Sequence, residues 1–165
     1  YEKPITLSVG LVWAAPGVPQ RDVLQHCREA EKLAKSKGRD RLTIRVLFNS
    51  GQYVQWTCPW SDLGILENYQ DRDRGNNWGH IYNDLAQLKA RRAIDLSLVK
   101  KQTYSDLTIA LSLLEIYFGR TPNAIKKDRD RLVGSFSDAA LIQWINDLIC
   151  VGWQLLREQK IVRSP

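Results

Sequence analysis

SVGLVWAAPGVPQRDVLQHCREAEKLAKSKGRDRLTIR, residues Ser8–Arg45, reads as strand, amphipathic helix, basic turn and strand. Its first block belongs to an apolar, β-branched stretch from Ile5 to Ala14, which suits a strand buried on both faces. Pro16-Gly17-Val18-Pro19 breaks that strand. Val23, Cys27, Ala30 and Ala34 then recur at helical spacing, and Leu24 and Leu33 widen the apolar face. Arg21, Arg28, Glu29, Lys32 and Lys35 lie off the stripe. Asp22 in the first turn, with Lys35 and Lys37 at the end, complements the helix dipole, and Gly38 stops the helix. Leu42, Ile44, Val46 and Phe48 alternate with Thr43, Arg45 and Asn49, which predicts a strand with one buried face. Asn49-Ser50-Gly51 is a turn signal, and Gln52 to Thr57 is the returning arm of a hairpin. The whole is a βαβ unit plus a hairpin strand, with the two crossover strands parallel.

Working outward, the pattern changes after Cys58. Pro59 opens a short helix to about Tyr69, and Gln70 to Asn77 is a polar, turn-rich loop. Helical spacing then holds in three places: Ile81, Leu85 and Leu88; Leu107, Leu111, Leu114 and Phe118; and Leu141, Ile145, Leu148, Gly152 and Leu155. Thr121-Pro122 and Ser137-Asp138 are helix starts. The predicted class is α+β, with an α/β unit over 1–58 followed by a helical bundle over 59–165.

The chain has 165 residues, 44% hydrophobic and 25% charged, enough for one good core or two small units. No apolar run approaches the roughly 20 residues of a membrane span, and no signal-peptide pattern is present. Three cysteines without a Cys-x-x-Cys pair argue for a reduced, cytoplasmic setting over a disulfide framework. The chain opens on Tyr1 and contains no Met, which reads as a segment of a longer protein. Net charge is +6 and the isoelectric point is near 9.3, a balance that favours polyanions such as RNA or nucleotides.

Lys35 and Arg39 flank Gly38 where the helix meets the next strand, and could grip a triphosphate there. On spacing alone, such cations more often answer the dipole and stay solvated. His26 and His80 are far apart and show no metal-ligand spacing. Cys27 and Cys150 fall on apolar faces, so no nucleophile is assigned. Asp71 and Asp73, like Asp128 and Asp130, are each followed by Arg and read as solvated surface; no metal site is expected. Lys89, Arg91, Arg92, Lys126 and Lys127 are candidate RNA-phosphate contacts. Most of the six Trp are expected in the core or an interface, but Trp78 sits in a Gly-Asn-Asn-Trp-Gly loop and is a candidate for base stacking.

Ser8-Val9-Gly10-Leu11-Val12, with Ala30 and then Ala34-Lys35-Ser36-Lys37-Gly38-Arg39-Asp40, resembles the closing half of a GGDEF-type cyclase palm. In its Glu29–Lys35 helix, the strand Ile44–Phe48 running into Asn49-Ser50-Gly51-Gln52, and the helices that follow, it most resembles the large palm-domain subunit of type III CRISPR effector complexes, Cmr-like form. The motif-bearing likeness covers about the first third of the chain. It implies a partial ferredoxin-like palm before the bundle, and a parent that converts ATP with Mg2+ into cyclic oligoadenylate on target RNA capture. Lys35 and Arg39 would be triphosphate contacts by matching position. The helices would dock other subunits of the effector complex and the guide RNA. No GGDD motif occurs in the chain and position 40 is Asp where these cyclases often carry Asn, so this segment alone is not expected to catalyse. An inactive palm scaffold and a diguanylate cyclase fragment are the alternatives.

Overall fold

The computed structural model describes residues 4–94, 96, 104–135 and 137–157. Three strands form one sheet in the order β1-β2-β3: β1 (Val9–Ala14), β2 (Arg41–Leu47) and β3 (Tyr53–Pro59). β1 runs parallel to β2, pairing Val9 with Leu42 through Ala14 with Leu47, and α1 (Gln20–Ser36) makes the crossover. β3 returns antiparallel, pairing Arg41 with Pro59 through Leu47 with Tyr53. The parallel strands are immediate neighbours, so any further strand can join only at the outer edge of β1 or of β3.

A 3-10 segment over Trp60–Asn68 leads into four helices: α2 (Trp78–Ala90), α3 (Tyr104–Phe118), α4 (Pro122–Val133) and α5 (Asp138–Leu156). The expected starts hold. Pro122 occupies the first turn of α4, and the Ser137 side chain accepts from the Ala140 amide at the head of α5.

β2 is buried along its whole length, on both faces rather than the one predicted. α1 covers one face and α5 the other, so the strand is sandwiched. Gly10 sets the first approach: a Cβ there would lie 2.6 Å from the Cys27 carbonyl, against the fully buried Ala30. On the second face the Trp144 indole donates to the Thr57 carbonyl at 2.8 Å, and its ring packs on Trp56. Leu42, Ile44, Val46, Trp56 and Cys58 of the sheet join Ile81, Leu85, Leu111, Leu141, Ile145 and Leu148 of the helices in one cluster. Packing therefore runs across the 58/59 position without a break.

Among the described residues, α5 is long and apolar enough to cross a bilayer, which the sequence reading did not anticipate. Here Leu141, Ile142, Ile145, Leu148, Ile149 and Val151 are buried within this core.

Candidate functional site

The α1–β2 turn carries the strongest sequence motif. Gly38, Arg39 and Asp40 all have positive φ, of 124°, 61° and 51°. Two successive non-glycine residues in the left-handed region mark a backbone held by its surroundings. Trp60 donates its amide to Asp40 O at 3.4 Å. The buried Arg41 guanidinium donates to Arg39 O at 3.0 Å, Arg131 O at 3.0 Å and Leu132 O at 3.4 Å. Those last two carbonyls belong to the final turn of α4, so Arg41 caps that helix from the sheet. Burial holds the Arg41 pKa below its ordinary value, with Asp40 and Asp62 opposing. Gly134, the left-handed cap of α4, lies directly on the Lys37 carbonyl.

Lys35 and Arg39 are both exposed on this braced turn. Lys35 pairs with Glu31 one helical turn back at 2.5 Å, which lowers the Glu31 pKa. The turn therefore presents cations at one end of the sheet.

The candidate RNA contacts are dispersed. Lys89 lies in the last turn of α2, with Arg91 and Arg92 exposed just beyond it. Lys126 and Lys127 are exposed on α4. Trp78 is corrected: it is 3% exposed, stacked on Tyr69 at 4.3 Å between centroids, with Gly152 of α5 against its ring. The Asn-Asn pair ahead of it supplies the helix cap, Asn77 Oδ1 accepting from Gly79 N at 3.0 Å, and the cap aims the indole inward. Trp13 is the opposite case, 62% exposed on β1.

A polar cleft that sequence reasoning missed lies between the loop after Gln70 and α2. Asp71, expected in solvent, is buried, and its carboxylate accepts from Arg72 N at 2.7 Å and from the His80 ring at Nδ1. Asp84 accepts from the Arg72 guanidinium and, at 2.5 Å, from the Tyr117 hydroxyl. Burial first, then the Asp84 carboxylate, pushes the Tyr117 hydroxyl up to about 12. Arg72, Asp73, His80, Asn83 and Asp84 line a cavity of about 210 Å³. The signal that could have found it is the cap at Asn77, which sets His80 in the first turn of α2 facing back to the loop. No group of three or more candidate metal ligands occurs among the described residues.

No family model, curated protein or solved structure matches the chain.

Proposed function

We propose that this chain is the carboxy-terminal part of the palm-bearing large subunit of a type III CRISPR effector complex, Cmr-like form, acting in antiviral defence in the cytoplasm. On this reading the parent palm makes cyclic oligoadenylate from ATP and Mg2+ on target RNA capture. Lys35 and Arg39 touch the triphosphate, and the helices dock neighbouring subunits and guide RNA. The GGDD carboxylates that such chemistry needs are supplied by the parent, since this segment has none.

The observation that carries the reading is β1. It is an edge strand whose Leu11 and Trp13 are 45% and 62% exposed on the side opposite α1, while Gly10 and Ala30 of the motif lock its other side to the helix. A strand so apolar and so bare suits the interior of a larger sheet. The cation-bearing turn sits beyond the start of the neighbouring strand, where a nucleotide could approach.

The test is Lys35→Ala with Arg39→Ala in the complete subunit. ATP turnover is expected to fall by about 10- to 100-fold, as for the loss of transition-state charge contacts, with the thermal midpoint unchanged. Unchanged turnover would end the phosphate-contact reading. A non-catalytic palm scaffold is the second reading. It is favoured by the Lys35–Glu31 pair and by the packing of the turn on α4, which give these residues structural work. A scaffold binds RNA but shows no chemical-shift change on addition of ATP and Mg2+. The diguanylate cyclase alternative is weakened because the helices after β3 complete the sheet's own core.

A further inference from the structure

We infer that the cleft between the loop after Gln70 and α2 takes a ribose, accepting the 2′-hydroxyl that separates RNA from DNA; this rests on the RNA-binding reading above. His80 is the acceptor. Its Nδ1 faces the buried Asp71 carboxylate, a contact that in the neutral ring assigns the proton to Nδ1 and the lone pair to Nε2. The ring is half exposed, and among the described residues Nε2 makes a long contact, 3.5 Å from Asn77 Nδ2.

The rest of the lining suits a sugar better than a bare phosphate. Asp73 and Asp84 bring two carboxylates against the single guanidinium of Arg72, which is already engaged by Asp84 and Tyr117. A phosphate at the centre of the cleft would meet like charge, whereas sugar hydroxyls donate to carboxylates, as ribose hydroxyls do to the acidic side chain of dinucleotide sites. A carboxylate has about four lone-pair positions, so Asp84 retains acceptor capacity beside its two partners. Asn83 is exposed at the rim and offers both donor and acceptor. The exposed part of Arg72 can meet the phosphate of the adjoining nucleotide.

The test uses the 165-residue chain and fluorescence anisotropy at one fixed salt concentration, with single-stranded RNA and DNA of the same sequence, about 16 nucleotides long. RNA is expected to bind roughly five- to tenfold more tightly, the worth of one or two hydrogen bonds. Asn83→Ala and His80→Phe, which takes away the ring acceptor, should remove that difference by lowering RNA affinity to that of DNA, with unchanged circular dichroism. If adenosine monophosphate displaces the RNA from the wild type but not from the variants, the ribose site stands and a free nucleotide is its occupant. Equal affinity for RNA and DNA, or equal loss of both in the variants, would overturn the inference while leaving RNA binding itself intact. Binding of neither strand would overturn the RNA reading as well.

Discussion

Asp147 lies on α5 between Gln143, which donates to it at 2.8 Å, and Asn146, which donates at 3.2 Å. Burial raises its pKa from 3.8 to about 6, with these two donors and Lys89 opposing. Well below pH 3.8 the carboxyl is protonated in both folded and unfolded chains. As pH rises toward 6 the unfolded chain ionises first, so stability falls through that window and stays lowered above it. Asp147→Asn is therefore expected to raise stability at pH 7.5 by about 1–2 kcal/mol and to change little at pH 3.5, read from thermal melts at both pH values. A gain equal at both would contradict the ionisation account. Residue-scale legibility was uneven for a related reason. Ala30 and Ala34 could be read as core positions, because they recur at helical spacing on the apolar stripe of α1. Asp71 and Trp78 could not, because their burial depends on α2, α3 and α5 folding over them from distant sequence.

Elements were legible where their signals are local. The crossover helix, the hairpin and the starts of α4 and α5 follow from spacing, turn residues and caps. β2 was misread as one-faced because Thr43 and Arg45 are polar, yet both are buried, as is Arg41 at the start of the strand. Each finds partners: Arg45 bonds Glu29, His26 and Gln55 and lies over the Tyr53 ring, Thr43 meets Thr57, and Arg41 caps α4. Strand alternation reports polarity, and polarity equals exposure only where no partner waits. Arg41→Ala should cost about 2–3 kcal/mol in chemical denaturation, since it removes three hydrogen bonds from a charged donor and leaves two α4 carbonyls without it. A loss under about 0.5 kcal/mol, the scale of an ordinary surface substitution, would show that α4 does not depend on this cap.

At the scale of the whole molecule, one core serves sheet and helices, and four of the seven exposed large apolar side chains among the described residues lie on β1 and the chain before it. Ile5 and Leu7 extend the bare stretch that Leu11 and Trp13 continue. An open edge beside exposed apolar side chains is a template for pairing with another chain. The 165-residue chain is expected to self-associate, and Leu11→Lys with Trp13→Lys to return it to a monomer, both read by light scattering. A monodisperse wild-type monomer would count against β1 as an interior strand. If β1 lies inside a larger palm sheet, as proposed, the coding sequence upstream of Tyr1 should hold an in-frame strand-turn-strand carrying GGDD. An upstream sequence with no such hairpin, intact or degenerate, would contradict that proposal.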